Sequence, residues 1–315
     1  MTQQELIVPH LDTSLPEPPA KLEQGTIILD GLELDEVMHI GSNAVVYRAE
    51  NAHGEGVAVK IFDERKPGGV DTELATHATL NGTPGLVRAL SMGITDTEVP
   101  QRFVAMELAP TNAEKLVLEN GVMPEDVLLS GISQVAPALR EMLSARLAHM
   151  DVKPRNILVY PETNVWRLTD YGSVKYLGRQ TVAKTGVDET TDIDHDDFGT
   201  LDFGDISATL GYAPPEVIEA RPTPTSDVFE LGATIQYLAT KELPFGKTTK
   251  SLSIADVLEY MQTLLKGDPQ PISHLREDFP EEVGRIVRQM LSPTPEDRPS
   301  ITDVVEALDV AAHKV

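Results

Sequence analysis

The stretch His149-Met150-Asp151-Val152-Lys153-Pro154-Arg155-Asn156 decides how the rest of the chain is read. It places an acid, a base two residues on and an amide five residues on, and the apolar run Ile157-Leu158-Val159-Tyr160 follows at once. Such spacing predicts a tight polar loop pinned at its end by a short buried strand. A second strand, Val165-Trp166-Arg167-Leu168, delivers Asp170 at its end, and Gly172 permits a sharp turn after it. Two acids and an amide on neighbouring strand ends suit magnesium and phosphate chemistry. Mg²⁺ takes a few carboxylate or amide oxygens and completes its octahedron with phosphate and water. The remaining acid can orient a hydroxyl nucleophile.

These residues resemble the catalytic loop and metal-binding loop of the eukaryotic-like Ser/Thr protein kinases, His-Arg-Asp-Leu-Lys-Pro-x-Asn followed by Asp-Phe-Gly. The chain departs from that pattern at Met150, Val152 and Tyr171. The resemblance runs from about Glu33 to Ala312. It implies an α+β, bilobal kinase-like fold, with a small antiparallel-sheet N-lobe carrying one main helix and a larger, mostly helical C-lobe. The expected division is a lead-in at 1–28, an N-lobe at 29–109, and a C-lobe at 110–315 containing a long acidic activation segment at 173–208.

Composition bounds the function classes. A chain of 315 residues can build one large core or two lobes. A formal charge of −24 works against binding nucleic acid or an anionic membrane. It is compatible with basic peptide substrates, and equally with a merely well-solvated surface. The absence of cysteine excludes disulfides, zinc-thiolate sites and a thiol nucleophile. No signal peptide and no membrane span are visible, so a cytoplasmic location is expected. The first 28 residues mix acids with Pro9, Pro16, Pro18 and Pro19 and show no period.

Strand-like patterns follow at Ala44–Ala49 and Gly56–Phe62, with the small-residue turn Ile40-Gly41-Ser42-Asn43 ahead of them. That turn resembles the kinase glycine-rich loop, but only Gly41 of three glycines is present; Ser42 follows it. Lys60 lies inside an apolar strand, and lysine is rarely buried unless paired. The alternative is the solvent face of an edge strand. The resemblance makes Lys60 the phosphate-pairing lysine and Glu73, in the helical run 70–80, its partner. Asp71 supports the helix dipole. Strands are expected at Leu86–Leu90 and Arg102–Leu108. By resemblance, Met106 lines the back of an adenine pocket, the Glu107 carbonyl and Ala109 backbone meet the purine edge, Val46 and Ala58 cover it, and Leu158 forms the floor.

Helices are expected at Ala113–Glu119 and Pro124–Leu147, the second kinked or divided by Pro137. The spacing Asp192-x-Asp194-x-Asp196 hints at a calcium loop. Asp197 at the sixth position and Phe203 at the twelfth argue against one, leaving an acidic, solvated insertion. Pro214-Pro215-Glu216 resembles the kinase peptide-docking segment. Thr225 or Ser226 is expected to cap the next helix, and Asp227 to brace the catalytic loop. Arg298 with Glu216 is the expected buried ion pair. Helices at about 254–265, 281–291 and 301–311 complete the chain.

The resemblance implies ATP and Mg²⁺ as cofactors. Asp151 would accept the substrate's hydroxyl proton, Lys153 would steady the γ-phosphate, and Asn156 and Asp170 would hold Mg²⁺. Lys60, fixed by Glu73, would draw on the α/β-phosphates. Methionine cannot bond an anion, so Met150 implies that phosphorylating Thr190, Thr191, Thr200 or Thr209 is not required for activity. His77 and Tyr171 are read as ordinary packing, with hydrogen bonding or stacking as the alternative. The rivals are a nucleotide-binding pseudokinase scaffold, a kinase-fold small-molecule phosphotransferase, and transfer of AMP.

Overall fold

The computed structural model describes residues 21–65, 69–178, 210–219, 221–246, 254–277 and 279–313. Threonines 190, 191, 200 and 209 and the Asp192–Asp196 spacing lie outside them. Six strands form the first sheet: β1 (Ile27–Ile28), β2 (Leu32–Ile40), β3 (Ala44–Glu50), β4 (Gly56–Phe62), β5 (Ala89–Ile94) and β6 (Arg102–Glu107). Their order is β1-β2-β3-β4-β6-β5, and every pairing is antiparallel. Helix α1 (Val70–Leu80) follows β4. At the end of the expected lead-in, Ile27–Ile28 pairs with β2 as the sheet's first strand: Ile28 is buried, and Leu22 N–H donates to Tyr47 Oη at 2.7 Å.

Strand periodicity sorts the sheet's two faces. Val57, Val59 and Ile61 join Val45, Tyr47 and Phe103 in an outer core. Ala58, Lys60 and Phe62 point the other way, opposite Val46 and beside Val104 and Met106. Strand β4 lies between β3 and β6, so Lys60 is on an interior strand, not an edge. The strand expected at Leu86–Leu90 starts instead at Ala89. Val87 N–H bonds to Leu168 O at 2.9 Å, which takes residues 86–87 away from the first sheet.

The remainder is mostly helical. After β7 (Thr111–Asn112) come α2 (Ala113–Asn120), α3 (Glu125–Ser144) and β8 (Leu147–Ala148). The hairpin β9 (Ile157–Tyr160) and β10 (Val165–Leu168) follows, then β11 (Lys175–Tyr176), α4 (Pro215–Ile218) and α5 (Ser226–Thr240). Helices at Ile254–Leu265, Ile272–Leu275, Glu281–Met290 and Ile301–Ala312 close the chain. Pro137 sits inside one continuous α3 and does not divide it. Gly131 of α3 lies flush against Trp166, where a Cβ would come within 2.1 Å of the indole. That contact seats the β9–β10 hairpin, and hence Asn156 and Asp170 at its two ends, on α3. One apolar core runs from Phe62 and Met106 through Leu128 and Ile157 to Phe229 and Leu308.

Candidate active site

Lys60 gathers the upper half of the site. Its Nζ lies 2.6 Å from Glu73 Oε1 on α1 and 2.8 Å from Asp170 Oδ1 beyond β10. Burial alone would lower the Lys60 pKa, but Asp170 and Glu73 more than offset it and hold the ammonium charged. Lys60 in turn holds the Asp170 carboxyl well below the usual carboxylate range. Burial pushes Glu73 up against the pull of the same lysine. Asp170 has φ 70°, a left-handed backbone that short polar side chains tolerate. Its side chain is 45% exposed and open to the cleft.

The lower half is built on backbone. Asp227 of α5 accepts His149 N–H at 2.7 Å and Met150 N–H at 2.8 Å, which supports the left-handed φ of 65° at Met150. Its neighbour Ser226 donates to Glu216 Oε1, and Thr225 Oγ1 to Pro295 O, so neither side chain caps α5 as expected. Both are drawn instead into the brace around Arg298. That guanidinium grips Glu216 at 2.5 and 2.9 Å, donates to Ser292 O and covers the Phe229 ring, giving the buried pair expected from the sequence.

Asp151 stands over this floor. Lys153 Nζ lies 2.8 Å from its Oδ1, and Asn156 Nδ2 donates to its Oδ2 at 2.8 Å and to its backbone oxygen at 2.9 Å. Burial raises the Asp151 pKa and Lys153 draws it back. Thr169 N–H bonds Asn156 O at 2.9 Å, and His149 Nε2 lies 3.1 Å from Thr169 O. The two loops are thereby tied together, with Asp151, Asn156 and Asp170 on adjoining turns.

Of the adenine-pocket candidates, Ala58 and Met106 are buried, Val46 and Leu158 half-buried. The Glu107 side chain is held behind them by Arg167 Nε and Arg88 N–H, both on Oε1. At Gly41 a Cβ would meet only ordinary contacts, with Ala44 O at 3.6 Å, so the turn itself does not demand glycine. His77 packs against Tyr171 with ring centroids 4.6 Å apart and planes tilted by 55°, and neither of its nitrogens has a hydrogen-bond partner. Burial, reinforced by Lys60, lowers the His77 pKa to about 4.

Sequence reasoning missed Glu230 and Thr234 of α5, which hold Val152 N–H at 2.7 Å and Val152 O at 2.9 Å. The signal was an acid inside the apolar run Val228-Phe229-Glu230-Leu231, the same anomaly that marked Lys60.

Comparison with known proteins agrees with this architecture. The chain is 29% identical over 305 residues to the serine/threonine-protein kinase PknK of Mycobacterium tuberculosis, covering 93% of this chain and 24% of PknK. It is 28% identical over 269 residues to PknL of the same organism, covering 82% of this chain and 59% of PknL. The chain thus spans only part of the length of these relatives. The crystal structure of Rad53 residues 1–466 in complex with AMP-PNP superposes with a TM-score of 0.66 at 24% identity. It covers 91% of this chain and 65% of that one; Rad53 is a serine/threonine-protein kinase of Saccharomyces cerevisiae. The protein kinase domain family matches residues 32–308, and the chain belongs to that family.

Proposed function

We propose that the chain is an ATP-dependent Ser/Thr protein kinase that transfers the γ-phosphate to protein hydroxyls, its own included. The observation that carries the reading is Lys60 bridging Glu73 and Asp170, at 2.6 and 2.8 Å, in a cleft floored by Asp151. Phosphoryl transfer asks a protein mainly for positioning and charge neutralisation. Lys60 supplies a fixed cation for the α/β-phosphates. The backbone of the Gly41-Ser42 turn would approach the phosphate oxygens. Val46, Ala58, Met106 and Leu158 offer an apolar slot for a purine, with the Glu107 and Ala109 backbone at its edge. Asp151 orients the attacking hydroxyl and takes its proton, and Lys153 steadies the transferred group.

The donor set fits Mg²⁺. Both Asn156 Nδ2 bonds go to Asp151, leaving the carboxamide oxygen as its ligand end, and the exposed Asp170 carboxylate is the second. Bound there, the ion would neutralise phosphate charge. Among the described residues no cluster of three or more His, Cys, Asp or Glu could hold a metal, so phosphate and water would complete the coordination. The lobes divide near residue 109, and 173–208 is the activation segment. A charge of −24 is compatible with basic peptide substrates. Among the described residues no helix is long and apolar enough to cross a membrane. ATP as substrate favours a cytoplasmic location.

A basic protein incubated with Mg·ATP labelled at either the γ- or the α-phosphorus tests the reading. Label from the γ position on serine or threonine is expected. Label from the α position would indicate AMP transfer, and no label a scaffold.

A further inference from the structure

Helix α5 turns one face to the catalytic loop. Asp227, Glu230 and Thr234 recur at helical spacing and bond His149 N–H, Met150 N–H, Val152 N–H and Val152 O. The peptide between Asp151 and Val152 is gripped from both ends. Its carbonyl accepts from Asn156 Nδ2 at 2.9 Å, and its N–H donates to Glu230 Oε2 at 2.7 Å. Rotating that peptide would swing the Asp151 side chain. We propose that Glu230 is a positioning residue for phosphoryl transfer, fixing through Val152 the peptide that aims the Asp151 carboxylate. The inference rests on reading Asp151 as the base.

Glu230 is 1% exposed, and its Oε1 is buried without a hydrogen-bond partner. A core packing position has no use for such a group, since a buried polar atom left unpaired is destabilising. Burial pushes its pKa well above the ordinary carboxyl value. Asp227 on its own helix and Asp151 on the loop push it the same way, and Lys153 on the loop opposes them. Burial thus favours the neutral carboxyl, whose Oε2 accepts the Val152 N–H. A raised carboxyl pKa contributes stability that is complete at low pH and lost as pH rises toward the folded-state value.

The test compares Glu230→Met, which keeps volume but removes the acceptor, with Glu230→Gln, which keeps it. Four readouts are taken: kcat, KM for ATP, amide exchange at Val152, and thermal midpoint from pH 6 to 9. Glu230→Met is expected to fold, lose kcat about tenfold or more at a KM within twofold, and exchange Val152 faster. Glu230→Gln should restore kcat to within about threefold and keep Val152 protected. Its midpoint advantage over the wild type should widen as pH rises. A Glu230→Met variant with unchanged kcat and unchanged Val152 protection overturns the proposal, as does a Glu230→Gln variant as impaired as the Met variant. If the wild type transfers no phosphate, the kinase reading fails, and Val152 exchange alone decides whether Glu230 holds the loop.

Discussion

The two walls of the cleft are held by opposite means. Above, Lys60, Glu73 and Asp170 are joined only by side-chain charges, and one of the three opens to solvent. Below, buried acids of α5 and α4 accept neutral backbone N–H groups or pair with a side chain as buried as they are. Charges without backbone support can trade partners when a phosphate arrives. Loops bonded through their peptides keep their shape. On the proposed reading the upper wall therefore answers to ligand, and the lower wall sets the reference frame for Asp151.

Breaking the lower wall should produce the largest effect. Arg298→Met leaves Glu216 buried and unpaired, which costs on the order of 3–5 kcal/mol. The thermal midpoint should drop by roughly 2–4 °C per kcal/mol; a loss under one degree would show that the brace contributes little. Next, Asp151→Asn should lower turnover about 10²-fold, ~2.7 kcal/mol of barrier, while nucleotide affinity stays within twofold. A parallel loss of affinity would mean that Asp151 serves binding.

The upper wall should show its dependence on pH through His77. A pKa of about 4 in the fold, set by burial and Lys60, lies below the unfolded value of about 6.5. The unfolded chain then binds more protons between those values, so stability falls as pH drops through that window. The loss should reach about 2 kcal/mol at pH 5 relative to pH 8. His77→Leu should abolish that part of the slope, as urea unfolding at the two pH values would reveal; an unchanged slope would place its source elsewhere. Smallest of all, replacing Thr190, Thr191, Thr200 or Thr209 by Glu should change turnover less than tenfold, under ~1.4 kcal/mol. A larger rise would mean that Met150 does not remove the need for a phosphate.

Legibility in the sequence followed the same division. Strand β4, helix α1 and the β9–β10 hairpin were readable because their periods are local, and Lys60, Asp151 and Asp170 because charge stands out against them. The polar groups that serve distant backbone were not. Ser226 reads as a cap until Glu216 lies beside it, and Glu230 reads as one more helical acid until Val152 is set against α5. Leu86 and Val87 look like a strand of the first sheet, but their partner Leu168 is some eighty residues away. Ile27–Ile28 is too short to show a period at all.

The most direct test of the account is intact-mass measurement with site mapping after incubation with Mg·ATP, beside an Asp151→Asn control. The account predicts added phosphate on serine or threonine in the wild type and addition about 10²-fold slower in the control. An unchanged wild-type mass, with no nucleotide bound at saturating magnesium, would contradict it.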